Sequence, residues 1–182
     1  MQDYKTLKLY AKNRKFAEAI KISMLPEEWI LYAKDLAVSL PDTNQTALKQ
    51  REELGITGTE IEDYSNLVKF YSQRYVNSMS LPDQISQFEN VHHLRFGILG
   101  HKETIPYHLD EPYTLRFIAM IEGAHKYRTE TGVSFDMKAG ELWFINGSYK
   151  HSIENVYHGT RIALLGKFDN SLFNLKILNE LL

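Results

Sequence analysis

The sequence predicts an α+β protein: a double-stranded β-helix, or jelly roll, with N-terminal helices packed on one sheet. Three observations carry that prediction. The first half holds apolar residues at helical spacing. From Val91 onward the apolar runs shorten, and Gly, Asn and Asp punctuate them. The punctuation is even enough to leave roughly eight short strands, as a barrel or double-sheet jelly roll requires.

Taken in order, Asp3 caps a segment holding Leu7, Tyr10, Ala11, Ala17 and Ile20, read as helix. Pro26 sits where a first helical turn tolerates proline. Trp29, Ala33, Leu36 and Leu40 follow at steps of three and four, an amphipathic stripe that Pro41 ends. Residues 43–54 read as a short polar helix closed near Gly55. Ile61, Tyr64, Val68, Tyr71, Tyr75 and Met79 form the strongest helical stripe, and such a stripe reports buried packing. Near Pro82 the character changes. Strands are expected at 92–99, 104–109, 113–121, 125–128, 133–137, 141–145, 151–157 and 160–168. Turn signals separate them at Gly100, Glu111-Pro112, Gly123, Thr131-Gly132, Ala139-Gly140, Asn146-Gly147 and His158-Gly159. Leu172, Phe173, Leu175, Leu178 and Leu182 predict a closing helix. With no repeat, low-complexity tract or linker, one domain is expected over 1–182. Residues 1–90 would be mainly helical support, 91–168 the β-helix core and 169–182 the C-terminal helix.

Composition excludes several function classes. Hydrophobic residues make up 43% and charged residues 24%, an ordinary globular balance. A net charge of -2 supplies no footprint for nucleic acid or an anionic membrane. There is no cysteine, hence no disulfide and no thiolate metal site. The N-terminus is polar without the apolar core of a secretory signal, and no apolar run approaches a membrane span, so a cytoplasmic protein is expected.

The chemistry concentrates between His108 and Arg161. His108 and Asp110 are two apart, which on a strand places both side chains on one face. His151 lies far downstream, on another predicted strand. Two imidazoles and one carboxylate form the facial triad that leaves open positions on a non-haem iron, although Mn, Co or Zn accept the same ligand types. Arg161, in the apolar strand RIALLGKF, needs a carboxylate partner if buried, and Arg116 sits similarly in YTLRFIAMI. Either arginine also suits a structural ion pair. Among the other histidines, His101 and His158 read as turn residues, His92-His93 straddles two faces of a strand, and His125 has no assigned role. Lys102, Lys126, Tyr127 and Arg128 are candidates for the barrel mouth, though such hairpin residues are usually just solvated.

The segments ILGHKETIPYHLDEPYTLRFIAMI, GELWFINGSYKHSIEN and RIALL together resemble the 2-oxoglutarate/Fe(II) dioxygenases, in the branch of the aspartyl/asparaginyl β-hydroxylases and free-proline hydroxylases. The resemblance covers roughly the C-terminal half. It implies Fe(II) on His108, Asp110 and His151, with 2-oxoglutarate as co-substrate. Arg161 would hold the far carboxylate of that co-substrate, with help from Arg116. The family's other motif positions fall on Gly100, Gly140, Glu141, Trp143, Asn146, Ser148 and Asn155. Ile118 stands where many relatives carry a histidine. The implied reaction is hydroxylation by O2 of an amino-acid-like small molecule, free or peptidyl, yielding succinate and CO2. Two other readings stay open: a cupin-type metal enzyme that does not use 2-oxoglutarate, and a non-catalytic binding domain.

Overall fold

The computed structural model describes residues 12–41, 72–110 and 114–182. Its centre is eight strands: β3 (His92–Leu99), β4 (Thr104–His108), β5 (Thr114–Glu122), β6 (Ala124–Thr129), β7 (Ser134–Lys138), β8 (Glu141–Ile145), β9 (His151–Asn155) and β10 (Arg161–Asp169). They match the eight expected strands to within two residues at either end. Two more strands flank them, β1 (Ala19–Met24) and β2 (Ser72–Tyr75). One sheet runs β1-β8-β5-β10-β3-β2 and the other β4-β9-β6-β7. All pairings are antiparallel. From β3 to β10 successive strands alternate between the two sheets, except at the β6–β7 hairpin, which is the winding of a double-stranded β-helix.

Strand alternation divides the larger sheet into two faces. Leu115, Phe117, Ala119 and Ile121 of β5, with Ile162, Leu164 and Phe168 of β10, point outward into one core. Helix α1 (Glu27–Ser39) covers that face, burying Trp29, Ala33 and Ala37 at steps of four. The Trp29 indole donates to Ser80 O at 2.8 Å. Pro26 precedes the helix, and Pro41 follows the Leu40 cap. The short helix α2 (Asp83–Ser86) adds Ile85. Helix α3 (Leu172–Asn179) starts from Ser171, whose side chain accepts from the Asn174 N–H. It buries Leu178, whereas Leu172 and Phe173 stay exposed. The opposite face of the sheet points into the barrel. There Ile118, Met120 and Ala163 meet Ile105, Tyr127, Met137 and Ile153 of the smaller sheet.

The support region departs from expectation. Ala19 and Ile20 lie in β1, not in a helix. Ala19 packs in the barrel and Ile20 in the outer core, because neighbouring strand residues face opposite ways. The partner is the otherwise open edge of β8, with Ala19 opposite Ile145 and Ile20 opposite Phe144. Tyr75 likewise belongs to β2, opposite Arg95. The expected polar helix at 43–54, and the stripe from Ile61 to Tyr71, fall outside the described residues. Among the described residues no helix is long and apolar enough to cross a membrane.

Candidate metal centre

β4 ends at His108 and β9 begins at His151, and the two residues are cross-strand partners. Their rings sit 4.3 Å apart between centroids. Asp110 lies two residues past the end of β4, so strand alternation does not place it. Its N–H instead donates to Gly147 O at 3.0 Å. Oδ2 of the carboxylate stands 3.6 Å from His151 Nε2. One ligand atom from each of the three residues lies within 4.8 Å of the others.

The backbone sets the imidazoles' protonation. His108 Nδ1 is 2.8 Å from Pro106 O, and His151 Nδ1 is 2.9 Å from Tyr149 O. A carbonyl only accepts, so each Nδ1 carries the hydrogen, and a neutral ring then leaves Nε2 as a bare donor for a metal. His151 is 1% exposed. Burial, with His108 and Arg116 acting in the same direction, lowers its pKa to about 4, against the opposing pull of Asp110 and the Tyr149 carbonyl. Burial alone would raise the Asp110 carboxyl. The Arg116 guanidinium, His151, His108 and Arg95 together more than offset it, Arg116 foremost, and hold the group well below the usual carboxylate range. Near neutral pH, then, His151 is neutral and Asp110 is an anion. That is the state in which these side chains ligate a divalent ion, and the donor set fits Fe(II).

Arg116 Nε forms an ion pair with Asp110 Oδ2 at 2.9 Å. Its β5 position faces the barrel, and in this arrangement it braces the Asp110 carboxylate. Tyr127 stacks against His151, with ring centroids 4.9 Å apart and planes at 22°. Its buried hydroxyl has no hydrogen-bond partner among the described residues. The Gly147 turn is close-packed: a Cβ there would stand 2.5 Å from Asp110 Cβ.

The triad opens on a cleft of about 390 Å³, its mouth included. His108, Asp110, His151, Arg95 and Arg116 line it, among the apolar walls Ile105, Ile145, Ile153 and Leu165. Arg161 does not line the cleft. It is 1% exposed, and it begins β10 opposite Leu99, toward the other end of the barrel. Its Nε donates to His125 Nδ1 at 2.8 Å and its Nη1 to Gly97 O at 3.2 Å. His125 is fully buried, and burial together with Arg161 keeps it neutral.

Two groups thus emerge that the sequence reading passed over. His125 accepts from Arg161, and nothing in its local sequence marks that. Arg95 reaches the cleft, and the only local signal is a cation amid the apolar residues of β3. The remaining motif residues serve the frame. Glu141 accepts from Lys21, the Lys138 N–H and the Trp143 indole, closing the turn that carries the chain from β7 in one sheet to β8 in the other. Asn155 bonds Leu99 O, Gly100 O and Gly159 O, at the end of β9 away from His151. His101 is exposed, with Nδ1 2.9 Å from Tyr157 O.

No family model matches the chain. No curated protein matches it either. Among solved structures it is similar to a prolyl-4-hydroxylase from Pseudomonas putida at 12% identity and TM-score 0.48, over 90% of this chain and 99% of that one. It is also similar to a predicted oxalate decarboxylase from Thermotoga maritima at 16% identity and TM-score 0.42, over 54% and 80% of the two chains. A cupin 2 conserved barrel domain protein from Salinispora arenicola is similar at 10% identity and TM-score 0.41, over 60% and 84%. The architecture is a cupin-like double-stranded β-helix. The strand order above carries that statement.

Proposed function

We propose that this protein is a non-haem Fe(II) oxygenase that uses 2-oxoglutarate and O2 to hydroxylate a small amino-acid-like substrate, releasing succinate and CO2. One observation carries the reading. Two imidazoles, each with Nδ1 against a backbone carbonyl, and the Asp110 carboxylate converge on one cleft. His108, Asp110 and His151 would hold the ion, which supplies O2 activation and the chelation point for a 2-oxo acid. The chain's own part is to orient and shield. Arg116 fixes the Asp110 carboxylate, the Pro106 and Tyr149 carbonyls fix the ring tautomers, and the isoleucine and leucine walls exclude water. Arg161 is the proposed anchor for the far carboxylate of 2-oxoglutarate. It would act from the barrel interior, with His125 setting its guanidinium plane.

Arg161's place off the cleft wall favours a second reading, a cupin-type metal enzyme that does not use 2-oxoglutarate. One titration separates the two. Fe(II) and then 2-oxoglutarate are added anaerobically while the visible charge-transfer band of the chelate is followed. The oxygenase reading expects the band in the native protein, its loss in His108→Ala and His151→Ala, and a weaker 2-oxoglutarate affinity in Arg161→Ala. Iron binding without the band at saturating 2-oxoglutarate would transfer the case to the second reading. A protein that binds no iron would be neither.

A further inference from the structure

Two of the three candidate ligands are set by one short loop. Residues 146–150 carry the chain from β8 to β9. Gly147 O accepts from the Asp110 N–H at 3.0 Å, and Tyr149 O faces His151 Nδ1 at 2.9 Å. The place of this loop therefore fixes both a carboxylate and an imidazole. Metal–ligand bonds tolerate only about 0.2 Å, so the loop must be held as closely as the ligands themselves.

The loop is held from a distant part of the chain. Residues 13–18 lead into β1 and lie along it as a strap. The Asn146 N–H donates to Glu18 O at 2.9 Å, and Asn146 Nδ2 donates to Asn13 O at 2.9 Å and Ala17 O at 3.3 Å. Arg14 Nε donates to Ser148 O at 2.9 Å, across 134 residues of sequence. The Tyr149 hydroxyl donates back to Arg14 O at 2.5 Å. The Arg14 guanidinium stands 5.5 Å from the centre of the Tyr149 ring. It also pairs with Glu130, whose carboxylate accepts from the Lys150 N–H at 3.2 Å. Asn146, Ser148, Tyr149 and Lys150 are thus bonded to the strap or to its ion-pair partner, while Gly147 among them meets Asp110. We propose that residues 13–18 position the metal centre, with Arg14 as the principal clasp: they set the loop that sets Asp110 and His151, and so govern how tightly and in what geometry the ion is held. Arg14 is no ligand; it is a positioning residue that acts through the loop. The proposal rests on the reading of His108, Asp110 and His151 as metal ligands, and not on which co-substrate the ion serves.

Two variants test it. Arg14→Ala removes the bonds to Ser148 and Glu130. Tyr149→Phe removes only the hydroxyl bond to Arg14 O and keeps the Tyr149 carbonyl for His151. Arg74→Ala is the control, because Arg74 also clasps two backbone carbonyls, Ala37 O at 2.7 Å and Val38 O at 2.9 Å, but between β2 and α1. The full chain of each is titrated anaerobically with Co(II) and followed by ligand-field absorption. Exchange of the Asp110 amide hydrogen is followed by NMR in the metal-free protein, and melting temperatures show that each variant is folded. Expected is a Co(II) affinity weaker by about tenfold to hundredfold in Arg14→Ala, the usual loss for a supporting group. Tyr149→Phe should lose less in the same direction, and both should show an altered ligand-field band and faster Asp110 exchange. Arg74→Ala should match the native protein in all three. Should Arg14→Ala fail to fold, Tyr149→Phe carries the comparison. Native affinity and band in the folded strap variants, or an equal loss in Arg74→Ala, overturns the proposal. Failure of the metal reading shows separately: the native protein then binds no Co(II), and the proposal falls with it.

Discussion

Replacing Gly147 by alanine should damage the metal centre while leaving the barrel folded. A Cβ at this position would stand 2.5 Å from Asp110 Cβ, 3.1 Å from Oδ2 and 3.3 Å from Cγ. Ordinary carbon contacts begin near 3.5 Å, so the carboxylate must retreat by about 1 Å. Metal–ligand bonds tolerate only about 0.2 Å. Retreat by turning Asp110 is also restrained, because its N–H is tied to Gly147 O and its Oδ2 to Arg116. Gly147 does not touch the ion itself, and loss of a supporting group typically lowers metal affinity by about 10-fold to 100-fold. The turn lies at the barrel rim, so overpacking should cost no more than about 1 to 3 kcal/mol. The assay is anaerobic Co(II) titration followed by ligand-field absorption, with urea denaturation of the metal-free protein as the folding control. Gly147→Ala binding Co(II) within twofold of the native protein would refute the argument that this glycine seats the ligand carboxylate.

Two further outcomes follow from buried histidines. The His151 pKa is lowered to about 4 from 6.5, so the unfolded chain binds the extra proton first on acidification. Stability of the metal-free protein is therefore complete above about pH 6.5 and falls as the pH drops toward 4, by up to about 3 kcal/mol from this group. Urea midpoints measured across that window should show a shallower fall in His151→Gln, and an unchanged slope would contradict the depressed value. His125→Phe removes the acceptor for Arg161 Nε, at 2.8 Å, while filling a similar space. It should destabilise the protein by about 1 to 3 kcal/mol in denaturant titration, with His125→Asn milder, and native-like stability of the Phe variant would show that the bond contributes little.

Much of the molecule was legible because strand periodicity and metal chemistry are local. Each β-helix strand alternates within a few residues and ends on a Gly, Asn or Asp turn, so its position is written where it occurs. His108, Asp110 and His151 were legible because few residue types ligate a divalent ion. What failed was long-range. Ile20 and Tyr75 fit helical stripes by spacing, yet both pair on the open edges of β8 and β3, and sheet edges offer unpaired backbone groups that outweigh a weak local propensity. Asp110 was expected on a strand face but is set by a turn near residue 147, which no spacing rule reaches. His125 and Arg161 are 36 residues apart and bond only because β6 and β10 close the same barrel. The sequence by itself determined the element types of the β-helix and singled out His108, Asp110 and His151, which the fold brings together. Tertiary structure alone decided which arginines share the cleft, because a side chain's partners depend on which strands face one another, and that is a property of the closed barrel.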